Sequence, residues 1–134
     1  SVHAALPHLI KQGYGKVINI SSDGARVGAK GEAVYDGLKA GVAAFMKSMV
    51  REHARNNINF NTVSPGVTNT PLLQKIMTEE GGSDVIGRMV KAVPMRRPAE
   101  PWEVSGAVVF LASAASDFVQ GQTLSTSGGL TMAG

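Results

Sequence analysis

Tyr35 and Lys39 stand four residues apart, a spacing that puts both on one face of a helix with Cβ atoms about 5 to 6 Å apart. A phenol beside an ammonium is a candidate acid and base. A free phenol titrates near 10, and an adjacent positive charge favours its ionised form. Moving it by about three units takes roughly 4 kcal/mol. One solvent-screened lysine does not supply that much, so the chemistry calls for a second positive charge such as an oxidised nicotinamide. Taken alone the pair is commonplace on exposed helix faces. Ser22 sharpens it: thirteen residues before Tyr35, its hydroxyl is within loop reach of the phenol and suits polarisation of a carbonyl. The alternative is that Ser21 and Ser22 satisfy backbone groups in a turn. His3, His8 and His53 lack a partner ligand at metal spacing and read as surface or packing residues, so no metal is expected.

The elements that must hold these groups follow from hydrophobic periodicity and its breaks. Residues 1–11 carry the end of a helix, and 16–21 (KVINIS) form a short buried strand flanked by Gly15 and Asp23-Gly24. From 32 to about 55, Val34, Leu38, Val42, Phe45 and Met49 recur at helical spacing and predict a long amphipathic helix. A second strand over 58–63 ends at Pro65-Gly66. Residues 67–100 read as an irregular insert with a short helix at 70–78, a flexible Gly81-Gly82-Ser83, and an amphipathic piece through Ile86, Met89 and Val90. Inserts of that length are usually functional. Pro101 opens a third main helix to about 115, and 123–126 form the last strand.

That order implies parallel strands joined by right-handed crossovers, the α/β class. Ligands of open parallel sheets sit beyond the carboxyl ends of the strands. Here those ends carry Ser21-Ser22, Ser64-Pro65-Gly66 and Ser127-Gly128-Gly129, which converge on one rim.

Composition narrows the classes. The 134 residues are 43% hydrophobic and 17% charged, with 16 glycines, no cysteine and a net charge of +3. Disulfide frameworks and thiolate metal sites are therefore excluded, and the charge is too small and scattered to argue for nucleic acid. No apolar run reaches the roughly 18 residues of a membrane span, and the start lacks a signal-peptide pattern, so no membrane association and a cytoplasmic location are expected. The chain opens on Ser1 and not on Met, which points to processing or to a piece of something longer.

The residues resemble the C-terminal half of a short-chain dehydrogenase/reductase. The matching stretches are Asn19-Ile20-Ser21-Ser22, then Tyr35-Asp36-Gly37-Leu38-Lys39, then Asn61-Thr62-Val63-Ser64-Pro65-Gly66-Val67-Thr68-Asn69-Thr70, and finally Gly121-Gln122 with Ser127-Gly128-Gly129. They cover nearly the whole chain in order. The resemblance implies that residues 1–134 are the C-terminal part of one Rossmann-like doubly wound sheet, with about three strands and three main helices. It implies too that the family's dinucleotide-binding N-terminal half belongs upstream of Ser1. It also implies an NAD- or NADP-dependent oxidoreductase in the intact protein, interconverting a secondary alcohol and a ketone. In that reading Tyr35 is the general acid/base, Ser22 orients the substrate oxygen, and Lys39 favours the ionised tyrosine while binding the nicotinamide ribose. Backbone groups after Pro65 and Gly66, near Thr68, together with the Thr70 hydroxyl, would hold the carboxamide and phosphate of the cofactor. A homo-oligomer, tetramer or dimer, is implied as well.

Two departures stand out. Ser127 occupies a position where the family often has an acid, and Asp36-Gly37 fill a stretch where small uncharged residues are usual; Gly37 costs the helix about 1 kcal/mol relative to alanine, which close helix packing would offset. Within the family the chain is similar to 2-hydroxycyclohexanecarboxyl-CoA dehydrogenases and 3-oxoacyl reductases, so a small-molecule acyl-CoA or carrier-bound thioester is the expected substrate. Arg88, Lys91, Arg96 and Arg97 are candidates to meet its phosphate-bearing arm, or else form a solvated basic face. Met77, Met89 and Met95 are candidates to line an acyl pocket, or to fill core. No glycine-rich turn joins a strand to a helix N-terminus to cradle a pyrophosphate. The competing reading is a non-catalytic piece whose long helix, last helix and last strand serve only as an oligomer interface.

Overall fold

The structure, a computed structural model, describes residues 1–132. Its elements are α1 (Val2–Gln12), β1 (Gly15–Ile20), the single turn α2 (Gly24–Val27), α3 (Ala33–His53), β2 (Ile58–Pro65), α4 (Pro71–Thr78), α5 (Gly82–Ala92), α6 (Pro101–Ala112) and β3 (Thr123–Thr126). Short 3-10 turns follow α3 and α6 at Ala54–Asn56 and Ala114–Ser116. The strands form one parallel sheet in the order β1-β2-β3, with Val17 opposite Phe60 and Ser64 opposite Ser125. The expected α/β class and three-stranded sheet are both present.

Alternation along β2 assigns its two faces. Ile58 and Phe60, both fully buried, pack with Met46 and Met49 of α3, and Val2, Leu6 and Leu9 of α1 close the same cluster. On the opposite face, the side-chain amides of Asn59 and Asn61 donate to the Val119 carbonyl at 3.0 and 2.8 Å, and Asn61 accepts from the Gln122 amide. These buried asparagines tie the loop after α6 to the central strand. Lys16, on that same face of β1, pairs with Asp117 at 2.6 Å.

Several boundaries have local causes. Thr70 caps α4 by accepting from the Leu73 amide at 3.3 Å, with Pro71 in the first turn. In α6, Pro101 takes the first helical position inside a reciprocal capping box between Glu100 and Glu103. The stretch Gly81-Gly82-Ser83, expected to be flexible, instead opens α5: Gly81 caps it at φ 72°, and a Cβ at Gly82 would collide with the Ile76 carbonyl oxygen. Of the apolar stripe read along α3, only Met49 is buried. Val34 and Leu38 are 79% and 69% exposed, and Val42 and Phe45 are exposed as well, while Asp36, Met46 and Met49 are the buried residues. Nor does close packing explain Gly37, since a Cβ there meets nothing within 4 Å.

Candidate active site

The exits of all three strands meet at one rim. Ser22 follows the end of β1, between two residues that are pinned. On one side, the Ser21 amide donates to the Val63 carbonyl at 2.8 Å and its hydroxyl to the Lys39 carbonyl at 3.0 Å. On the other, the Asp23 amide donates to the Pro65 carbonyl at 2.9 Å. Ser22 itself is half-buried, and its hydroxyl has no hydrogen-bond partner among the described residues.

Tyr35 and Lys39 lie in the first turns of α3, with Lys39 Nζ 5.7 Å from the Tyr35 ring centroid. Lys39 Nζ also donates to the Ile20 carbonyl at the end of β1, at 2.9 Å. One of its three N–H donors is thus fixed, which holds the ammonium between the strand exit and the phenol. Tyr35 is 46% exposed.

Pro65 and Gly66 sit against β3, where the Gly66 amide donates to the Thr126 carbonyl at 3.2 Å. A Cβ at Gly66 would fall 2.9 Å from Ser127 Cα, so the β2 and β3 exits touch through this glycine. Thr68 donates its hydroxyl to the Gly66 carbonyl at 3.0 Å and bridges to Ala99. Thr70 spends its hydroxyl lone pair on the α4 cap but keeps its own O–H. The expected groups therefore fall into a Tyr35–Lys39 pair, a Ser22 corner, and a β2 exit joined to that corner through Asp23 and Pro65.

The basic insert is less open than expected. Arg97 forms a two-pronged pair with Glu103 at 2.6 Å on each arm, and Arg96 donates to the Lys91 carbonyl. The Arg97 guanidinium, and after it the Glu100 amide, holds the Glu103 carboxyl down from 4.5 to about 2. Met95 lines an open cavity of about 210 Å³ with Pro98, Ala99, Thr126 and Ser127, and all three methionines, Met77, Met89 and Met95, are exposed.

Two acids were not singled out as site residues. Asp36 is buried, accepts from the Ala29 amide at 2.8 Å, and leaves Oδ1 without a partner among the described residues. Asp23 is fully buried and accepts from the hydroxyls of Ser125 at 2.7 Å and Thr131 at 2.6 Å. Ser127, where the resemblance leads one to expect an acid, shares a 2.9 Å hydrogen bond with Ser125, so the carboxylate of this cluster comes from position 23.

Parallel strands, crossover helices on both faces and polar exits at one rim define a Rossmann-like α/β protein. The family model described as enoyl-(acyl carrier protein) reductase matches residues 1–131, and the chain belongs to this family of short-chain dehydrogenases/reductases. It is 39% identical over 124 residues to acetoacetyl-CoA reductase of Acinetobacter sp. (strain RA3849), covering 92% of this chain and 48% of that protein. To the 3-oxoacyl-[acyl-carrier-protein] reductase FabG of Vibrio harveyi it is 37% identical over 129 residues, covering 96% and 51%. A gluconate 5-dehydrogenase from Burkholderia cenocepacia J2315, solved in complex with NADP and tartrate, superposes with a TM-score of 0.88 at 38% identity, over 99% of this chain and 51% of that one. The chain spans about half the length of these relatives. Among the described residues no helix is long and apolar enough to cross a membrane.

Proposed function

We propose that residues 1–134 are the C-terminal, proton-transferring part of a single NAD- or NADP-dependent oxidoreductase domain that interconverts a secondary alcohol and a ketone on an acyl thioester. The observation that carries this reading is Lys39, whose ammonium joins the end of β1 to the face of Tyr35.

The donors present suit the nicotinamide end of a dinucleotide. Lys39 has two N–H donors left for ribose hydroxyls, and the Thr68 and Thr70 hydroxyls stand at the β2 exit. A bound nicotinamide supplies or accepts the hydride at the substrate carbon. In the reductive direction Ser22 donates a hydrogen bond to the carbonyl oxygen, and Tyr35 gives that oxygen its phenolic proton as the carbon is reduced. The phenolate left behind is stabilised by Lys39, and oxidation runs the same transfers backwards. The names of the acetoacetyl-CoA and 3-oxoacyl reductases support a thioester substrate. With Arg97 committed to Glu103, Arg88 and Lys91 are the candidates to meet a phosphate-bearing arm.

The test uses the full-length protein with NADH or NADPH and acetoacetyl-CoA. Tyr35→Phe lowers kcat by at least about a hundredfold while cofactor affinity stays within about twofold; retention of more than about a tenth of kcat refutes the assignment. A CoA thioester gives a higher kcat/KM than its truncated analogue, and equal values remove the basic insert from substrate binding. The exposed stripe Val34, Leu38, Val42 and Phe45 favours a second reading, a chain that serves only as an oligomer interface. Wild-type protein that assembles without any turnover would establish that reading instead.

A further inference from the structure

The Asp23 carboxylate lies wholly inside the protein, and its environment is built from parts far apart in the chain. Ser125 of β3 donates to Oδ1 at 2.7 Å, Thr131 of the C-terminal segment donates to Oδ2 at 2.6 Å, and an Arg26 guanidinium nitrogen stands 4.0 Å from Oδ1. Ser127 extends the cluster, hydrogen-bonding Ser125 at 2.9 Å and accepting from the Thr131 amide at 3.4 Å. A carboxylate at this depth is tolerated only where donors meet it, because stranding it costs far more than one ordinary hydrogen bond. The cluster is thus a joint between the β1 exit, the β3 exit and residues 127–131, and Asp23 is its centre.

The residue before Asp23 is Ser22. Its other neighbour, Ser21, is fixed to β2 and to the Lys39 carbonyl at 2.8 and 3.0 Å. The main chain of Asp23 adds two more ties, its amide to the Pro65 carbonyl at 2.9 Å and its carbonyl to the Arg26 amide at 3.0 Å. Ser22 therefore stands between two residues fixed on both sides, its own carbonyl accepts from the Ala25 amide at 3.2 Å, and only its side chain is left unpartnered among the described residues. A hydroxyl that must aim at a substrate oxygen within a few tenths of an ångström needs such a mounting.

We infer that Asp23, held by Ser125 and Thr131, is a positioning residue for the Ser22 hydroxyl, and that the C-terminal segment thereby sets the geometry of the reacting site. This rests on the oxidoreductase reading given above. Asp23 touches neither substrate nor cofactor, so its loss changes the chemical step more than binding.

The experiment measures kcat, both KM values and thermal stability in the full-length enzyme, at a temperature well below each variant's Tm. Thr131→Val keeps the side-chain shape and removes one donor to Asp23. It lowers kcat about tenfold with both KM values within about threefold, and Thr131→Ser restores kcat to within about threefold of wild type. Asp23→Ala lowers kcat further. Asp23→Asn recovers much of the loss, because one of the Ser125 and Thr131 hydroxyls still donates to the amide oxygen while the other turns to accept from the amide N–H. If Asp23→Ala fails to fold, the Thr131 pair decides the question alone. Thr131→Val with wild-type kcat and a lowered Tm overturns the inference, since a purely structural role predicts that pattern. Tyr35→Phe in the same series separates the two ideas: an active Tyr35→Phe sinks the reaction assignment and this inference with it. An inactive Tyr35→Phe beside a fully active Thr131→Val sinks the positioning role only.

Discussion

Gly66→Ala isolates the contact between the β2 and β3 exits. The backbone at 66 lies outside the left-handed region, so alanine adopts it without dihedral strain, and the added methyl acts through space alone. That methyl would sit 2.9 Å from Ser127 Cα, 2.9 Å from Ser127 Cβ and 3.4 Å from the Ser127 carbonyl oxygen. Carbon atoms in contact need roughly 3.5 Å or more, so the two exits must part by about half an ångström. The atoms to be moved are the main chain and Cβ of Ser127, just past β3, and the main chain just past β2, and they cannot swing aside as a long side chain would. Overpacking of this kind costs about 1 to 3 kcal/mol, or a fall in Tm of roughly 4 to 8 °C for about 2 kcal/mol in a domain of the relatives' size. Because Thr68 and the Asp23–Pro65 hydrogen bond hang on the same exit, nicotinamide affinity falls with it, by about tenfold. Differential scanning calorimetry and cofactor titration of the full-length protein read both effects. Gly37→Ala is the control: nothing lies within 4 Å of its methyl, and alanine raises helix stability by about 1 kcal/mol. Gly66→Ala with unchanged Tm and unchanged cofactor affinity would refute the argument from contact.

Lys39→Ala lowers both cofactor affinity and kcat, since the one ammonium serves ribose and phenol; a change in stability alone would reduce it to a surface lysine. Folding favours the ionised form of Glu103, so its contribution is complete above the ordinary value of 4.5 and is lost as pH falls from there through about 2. The Tm gap between wild type and Glu103→Gln is therefore present at neutral pH, modest because the pair is exposed, and closed near pH 2; a gap that does not change with pH contradicts this. The 134 residues expressed alone self-associate through the open edge of β1 and bind NADH and NADPH weakly. Sedimentation velocity with calorimetric titration checks this, and a monodisperse monomer of micromolar affinity would contradict it.

The strands were legible because each is a short run bounded by glycine, proline or polar turns. The last occupies residues 123–126 as expected, while β2 runs two residues past its expected end because Ser64 and Pro65 pair with Ser125 and Thr126. The long helix was legible as a helix and misread as a surface. Its residues Val34, Leu38, Val42, Phe45 and Met49 form an apolar stripe, but only Met49 of these is buried, and it meets the strands together with Met46, which stands beside the stripe. Hydrophobic periodicity reports that a stripe exists, and it does not report what covers it. Gly82 failed for a related reason: its composition suggests a loose linker, while the approach of the Ile76 carbonyl makes it an obligatory part of a tight helix–helix corner.

In the site, legibility followed sequence separation. Tyr35 and Lys39 are one helical turn apart, and helical geometry alone brings them together. Asp23 meets partners 102 and 108 residues away, and its own neighbourhood, Asp23-Gly24, reads as an ordinary turn. No local pattern distinguishes an acid that ends a strand in solvent from one that turns inward to two hydroxyls. The same limit hid the meaning of Ser127. As a substitution for an acid it looks like a loss, yet the joint at the rim keeps a carboxylate by drawing it from β1 and surrounding it with Ser125, Ser127 and Thr131. An unpaired acid in that position would be expelled or would unfold the corner. The hydroxyls at 125 and 131 are thus dictated by Asp23, a hundred residues upstream, and not by the strand and turn that carry them.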